Sequence, residues 1–289
     1  MRFGWLNVGA GRGGWKRSAI RLGVIAVVTY MVVVIVTAVF QRHLIYFPSR
    51  NLEGLPTDVG LKYEDLSLRT SDGVRIHGWY VPRADALATI LFCHGNAGNV
   101  SHRLDKLKIL STLGFNVVMF DYRGYGRSEG KPDETGLYLD AQAAWDDLVS
   151  RGEDPKRIVL AGESLGGAVA IELATQVEPL AVVVESTFTS LADVGKKHYP
   201  LLPVRWVIGD QYQSSDKIGL VKCPVLIFHG AEDELVPISM ARSLFDAAPQ
   251  PKRFIETPGG HNDAGFSYTP DYAKMLRQFV EEAISTTIQ

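Results

Sequence analysis

The strongest pattern along the chain is an unbroken apolar run. From residue 22 to 41, twenty residues carry no charge and nearly all are Val, Ile, Ala, Leu, Met, Tyr or Phe. As a helix rising about 1.5 Å per residue, such a run spans roughly 30 Å, the hydrocarbon thickness of a bilayer. It predicts a retained transmembrane signal anchor over 22–41. A core helix or strand of a soluble protein seldom stays apolar for so long. A cleaved signal peptide has a shorter apolar region, about 7 to 15 residues, ending in a small-x-small site, whereas this run closes with Thr37, Ala38, Val39, Phe40 and Gln41. Residues 42–61, with Pro48 and Pro56 among them, read as a tether, and residues 62–289 as one large domain.

Beyond the tether the period changes. Residues 62–69 and 74–81 alternate apolar and polar positions around Thr70, Ser71, Asp72 and Gly73, which predicts a β-hairpin. Apolar runs at 88–93, 116–121, 157–161, 180–184, 224–228 and 253–256 then read as buried strands. Amphipathic stretches at 103–113, 136–149, 168–176, 238–247 and 271–284 read as the helices between and after them. This alternation predicts an α/β fold with a mostly parallel sheet covered on both faces. In such sheets, sites form at the carboxyl ends of the strands. Residues 187–221 interrupt the rhythm, with Tyr199, Pro200, Leu201, Leu202, Pro203 and Trp206 near the middle. A connection longer than about 15 residues carries function or structure of its own, so 187–221 reads as a small lid.

Composition narrows the class. With 46% hydrophobic and 21% charged residues the chain can bury a core and is not wholly disordered. Thirty Lys and Arg against 32 Asp and Glu give a charge of −2, with no basic excess to hold a polyphosphate, so nucleic acid is not an expected partner. The charge is unevenly spread: Arg2, Arg12, Lys16, Arg17, Arg21, Arg42 and Arg50 all precede the first acid, Glu53, and the rest of the chain sums to −9. Cations outnumber their counterparts on the N-terminal side of the apolar run, so the positive-inside rule assigns residues 1–21 to the cytoplasm. The domain is then expected on the non-cytoplasmic (periplasmic, luminal or extracellular) face. Two cysteines exclude a disulfide-stapled or cysteine-rich zinc fold. Cys93 closes its strand and Cys223 precedes its own, so in a parallel sheet they lie at opposite ends and stay unpaired.

Four loops carry candidate chemistry. Gly162, Glu163, Ser164, Leu165 and Gly166 follow one strand and lead into a helix. A serine on so tight a turn needs flanking glycines, because the backbone is strained and the helix packs close to the strand. Ser164 is the candidate nucleophile. Serine needs a base within reach and a carboxylate to orient that base. His261, after Pro258, Gly259 and Gly260, stands at a strand's carboxyl end and is the candidate base. His94 and His229 also close strands but each precedes a glycine, and they are expected to brace turns through backbone hydrogen bonds. His43, His77, His102 and His198 read as packing or solvated residues. Asp233 completes the chain order Ser, Asp, His, with Glu232, Glu234 and Glu185 as rivals for the acid. The loop His94, Gly95, Asn96, Ala97, Gly98, Asn99 follows the first parallel strand. Acyl-transfer intermediates carry an oxyanion that preorganised N–H groups must meet, and those of Asn96 and Leu165 are assigned to that hole. A phosphate-binding reading fails for want of Gly-Lys-Ser/Thr or Gly-x-Gly-x-x-Gly at the first βα turn.

With these loops in order, residues from about 60 to 285 resemble the α/β-hydrolase superfamily. More narrowly they resemble the membrane-anchored α/β-hydrolase domain proteins related to the yeast bud-emergence homologue and to acyl-protein thioesterases. The resemblance rests on residues 94–99, 121–126 with Ser128 and Gly130, 162–167, 185–188, 229–237 and 259–263. It implies an eight-stranded sheet whose second strand is antiparallel, and hydrolysis of carboxylic esters or thioesters without a cofactor or metal. The expected partners are an acyl ester or thioester, lipid-derived or lipidated, and the bilayer. Asn96 and Ala97 stand where many lipases carry further glycines, and Ser164 argues against the dehalogenases and epoxide hydrolases, which use an aspartate. Two alternatives remain: a serine (amino)peptidase, which here has no propeller-like region before the domain, and a catalytically silent membrane-anchored binding protein, although no triad member is missing.

Overall fold

In the computed structural model, which describes residues 14–262 and 271–287, eight strands form one sheet. They are β1 (Glu64–Arg69), β2 (Arg75–Val81), β3 (Thr89–Cys93), β4 (Asn116–Phe120), β5 (Ile158–Glu163), β6 (Ala181–Glu185), β7 (Val225–Gly230) and β8 (Lys252–Thr257). The order across the sheet is β8-β7-β6-β5-β3-β4-β2-β1. Only β2 runs against its neighbours, pairing antiparallel with β1 and with β4. The pairings from β4 through β8 are parallel. Edge strand β1 alternates exposed and buried positions, whereas β3, β6 and β7 are buried throughout, as expected of strands covered on both faces.

The two-residue period of a strand divides the core. Leu91, Leu160, Val182 and Ile227 pack on one face with α3 (Glu134–Ser150), α4 (Leu165–Gln176) and α8 (Ile238–Ala247). Ile90, Val159, Val183 and Leu226 pack on the other with α2 (Leu104–Thr112) and α9 (Tyr272–Thr287). Each parallel strand ends on the same edge, so the loops after β3, β5, β7 and β8 meet there. Cys93 and Cys223 are buried free thiols.

The N-terminal apolar run lies within α1 (Gly14–Ile45), which is longer than 22–41 at both ends. It is long and apolar enough to cross a membrane, and its most apolar stretch is unburied. Within the stretch 42–61, read from the sequence as a tether, residues 45–48 make contacts with the domain. Ile45 and Tyr46 pack into the domain, while Leu44 and Phe47 beside them stay largely exposed. Ile45 and Tyr46 are buried, Phe47 and Pro48 pair in parallel with Ala97 and Gly98, and the Tyr46 hydroxyl bonds Asp210 at 2.8 Å and Tyr212 at 2.7 Å. Within 187–221 the chain forms α5 (Leu191–His198), α6 (Val204–Val207) and α7 (Ser214–Lys217). Arg2, Arg12 and Asp263 lie outside the described residues.

Candidate active site

Ser164 sits between β5 and α4 with φ +51° and ψ −117°, a region that a residue with a side chain rarely occupies. The surroundings enforce it. A side chain at Gly162 would strike the Gly166 carbonyl, and one at Gly166 would strike the carbonyls of Cys93 and His94. The glycines therefore let α4 start hard against β3 and β5, which turns the serine outward. The Ser164 N–H donates to the Glu185 carbonyl at 2.8 Å, and its own carbonyl accepts the Thr187 hydroxyl at 2.9 Å.

The structure brings Ser164, His261 and Asp233 together. The Ser164 hydroxyl lies 2.9 Å from His261 Nε2, and His261 Nδ1 donates to Asp233 Oδ2 at 2.7 Å. Asp233 is buried, while its sequence rivals Glu232 and Glu234 are exposed. Its Oδ1 accepts the N–H groups of Leu235 and Val236 at 3.0 and 2.7 Å, which fixes the carboxylate and leaves Oδ2 for the imidazole. The loops of the acid and the base are packed backbone to backbone, since a side chain at Gly230 would collide with the carbonyls of Gly259 and Gly260. The third rival, Glu185, is committed elsewhere: it is ion-paired with Lys106 and accepts the Tyr272 hydroxyl at 2.6 Å.

The loop after β3 faces the serine. His94 Nδ1 donates to the Gly95 carbonyl at 2.7 Å, which orients the peptide whose N–H belongs to Asn96. Burial pushes the His94 pKa down and so favours the neutral ring. The Asn96 carbonyl accepts the Phe47 N–H at 3.0 Å and the Tyr125 hydroxyl at 2.7 Å. The Asn96 side chain donates to the Ile45 carbonyl at 2.8 Å. Leu165 opens α4, where the first N–H groups of a helix have no partner within it and point along the positive end of its dipole. His229 Nε2 donates to the Val236 carbonyl at 2.8 Å, bracing the acid's loop as expected.

Among the described residues, two cavities open on Ser164. One, of about 650 Å³, is walled by apolar side chains of α5, α6 and the loop at Leu235, and by Val34, Thr37, Gln41 and Leu44 of α1. The other, of about 330 Å³, is polar and bordered by Arg103, Lys106, Glu163, Glu185 and His261. Arg103 and Lys106 hold the Glu163 carboxyl below its usual value despite burial, which by itself would raise it. The contribution of α1 and residues 45–48 to this site carries no sequence signature. Tyr125 and Glu163 are inside recognisable motifs, but their partners come from distant segments.

Comparisons with known proteins agree with this architecture. A Pyrococcus furiosus esterase superposes with a TM-score of 0.70 over 83% of this chain and 98% of its own, at 21% identity, which speaks for the fold. An uncharacterized protein of Mycobacterium tuberculosis is 44% identical across 90% of this chain and 95% of its own length. The alpha/beta hydrolase domain-containing protein WAV2 of Arabidopsis thaliana is 39% identical across 84% and 88%. An uncharacterized membrane protein of Saccharomyces cerevisiae is 33% identical across 93% and 98%. The model of the alpha/beta hydrolase family matches residues 90–283, a span that holds the serine turn, the acid loop and the histidine loop, and this chain belongs to that family.

Proposed function

We propose that the protein is a membrane-anchored serine hydrolase that cleaves carboxylic ester or thioester bonds through an acyl-enzyme. The observation that carries the reading is the hydrogen-bonded series Ser164, His261, Asp233 at the mouth of an apolar cavity. His261 Nε2 takes the proton of the Ser164 hydroxyl as the oxygen attacks the acyl carbon, and Asp233 holds the imidazolium that results. The N–H groups of Asn96 and Leu165 receive the oxyanion. Collapse of the tetrahedral species breaks the bond to the alcohol or thiol, which leaves with the proton from His261. A water then attacks the acyl-serine, with His261 again as base, and releases the carboxylic acid.

The 650 Å³ cavity suits an acyl chain, and the polar one suits the leaving group. In this reading residues 187–221 act as a lid over the acyl chain. Residues 22–41 act as the anchor, supported by the apolar helix and by the yeast relative's description as a membrane protein. The cationic flank favours a cytoplasmic N-terminus and a catalytic domain on the other face.

Replacing Ser164 by Ala should lower kcat by roughly four orders of magnitude or more and abolish fluorophosphonate labelling of the purified protein. Across a series of chromogenic esters and thioesters, medium and long acyl groups should be preferred to acetyl. Retained turnover in Ser164→Ala would move the nucleophile elsewhere, and strict acetyl preference would remove the acyl role of the cavity. The anchored state predicts that the protein stays in the membrane pellet through a carbonate wash.

A further inference from the structure

Helix α1 is more than an anchor in this molecule. Its C-terminal half lies alongside the segment 199–209. The Tyr30 hydroxyl donates to the Leu201 carbonyl at 2.9 Å, and Gln41 Oε1 accepts the Gly209 N–H at 2.6 Å. Tyr30 lies roughly 16 Å along the helix axis from Gln41, about the depth of one leaflet's hydrocarbon. The uncharged run ends at Gln41, so the segment 199–209 shares the depth of the leaflet nearer the catalytic domain. The 650 Å³ cavity does too, because its wall includes Val34, roughly 10 Å inside the uncharged run, while its other end is Ser164.

The exposed face of this segment is built for lipid. Leu201 and Trp206 are 84% and 91% exposed, although both are large and apolar. Lys196, Lys197 and Arg205, close to them in sequence, are exposed as well, and their long stems let the charged ends turn toward the headgroups. Backbone groups placed in hydrocarbon must be satisfied internally. Here Tyr199 N–H donates to the Gly195 carbonyl, Leu202 N–H to Tyr199, Val204 N–H to Leu202, Trp206 N–H to Pro203 and Ile208 N–H to Val204. A protein partner on this face would have to occupy the plane already taken by the lipid around α1.

We propose that the lip around residues 199–209 lies in the leaflet on the catalytic side, and that the acyl chain of an ester dissolved in that leaflet reaches Ser164 sideways, between α1 and α6. Val34, Thr37 and Gln41 of the membrane helix then form one wall of the substrate path. The substrate class is a long-chain acyl ester resident in the bilayer, not a soluble acyl donor. This rests on the serine-hydrolase reading above.

The test uses the full chain reconstituted in phosphatidylcholine and phosphatidylglycerol vesicles, with p-nitrophenyl palmitate in the bilayer and p-nitrophenyl butyrate in the water. At constant bulk palmitate ester, tenfold more carrier lipid should lower the palmitate rate about tenfold; a rate that ignores this dilution overturns lateral entry. Thr37→Trp should lower the ratio of palmitate to butyrate turnover at least tenfold, and an unchanged ratio removes α1 from the path. Chain-brominated lipid should quench the emission that Trp206→Phe removes, and unquenched Trp206 emission overturns immersion of the lip. If the unaltered protein hydrolyses neither ester through Ser164, the hydrolase reading itself fails, and the quenching measurement still decides the placement of the lip.

Discussion

Lys106 offers a direct test of how the serine turn is supported. Its ammonium is ion-paired with Glu185 and stands 3.8 Å from Glu163, and the side chains of Lys106 and Glu185 are each 6% exposed. It also lies over the rings of Phe92 and Tyr272. The Glu185 carbonyl accepts the Ser164 N–H, so the ion pair sits directly behind the strained residue. Lys106→Met keeps most of the volume and leaves the Glu185 carboxylate buried without its cation, a change that costs about 3 to 5 kcal/mol when a buried pair is broken from one side. Tyr272 still donates to that carboxylate, which favours the lower end, about 3 kcal/mol. For a domain of this size the loss lowers Tm by about 6 to 12 °C. Thermal unfolding followed in detergent by intrinsic fluorescence measures it, and fluorophosphonate labelling of Ser164 reports the turn. In Lys106→Met/Glu185→Gln the orphaned charge is gone, and at least half of the lost Tm should return. A single variant within 2 °C of the parent, or a double variant no better than the single, would refute the argument.

Tyr125→Phe removes the hydroxyl that holds the Asn96 carbonyl, a hydrogen bond contributing about 0.5 to 1.5 kcal/mol. The expected result is a kcat lower by about twofold to thirteenfold with KM little changed; a change confined to KM would show that the bond does not orient a transition-state donor. Hydrogen bonds from Arg123 are the main reason the Asp72 carboxyl is held from 3.8 down to about 2. A depressed carboxylate stabilises the fold above its ordinary pKa and loses that contribution as pH falls through the lower value. The Tm deficit of Asp72→Asn at pH 7 should therefore narrow between about pH 4 and pH 2, and a constant deficit over that window would contradict it. Burial pushes the thiols of Cys93 and Cys223 up to about 12, so iodoacetamide at pH 8 should label neither in the native protein and both after unfolding, as read by mass spectrometry. Rapid native labelling of either would show an open thiol.

Much of the domain is legible along the chain because its patterns are local. A glycine on each side of Ser164, an acid after one strand and a histidine after the next are short-range signals, and a parallel sheet delivers all of them to one edge. The helix at 238–247 has the same bounds in pattern and in structure. Elsewhere tertiary contacts shift the ends. The serine helix begins at Leu165, earlier than the amphipathic period suggests, because Gly166 and Gly167 lack side chains to show that period. Chain order already favours Asp233 over Glu232 and Glu234, but the burial and the two backbone N–H donors that set it apart from them are displayed by no local pattern.

What the sequence determined by itself is therefore the set of elements, their direction, the candidate nucleophile, acid and base, and an apolar helix of membrane length. All of these follow from periodicity, glycine placement and side-chain chemistry within a few residues. What only the tertiary structure decided is where the N-terminal segment goes. Residues 42–61 lack the regular period of an element, and their apolar positions find their partners at Asn96, Asp210 and Tyr212, some 50 to 165 residues away. The pairing of Tyr30 with Leu201 spans 171 positions. Such contacts arise from the shape of the folded surface, and they turn an apolar helix of membrane length into one wall of the cavity at Ser164.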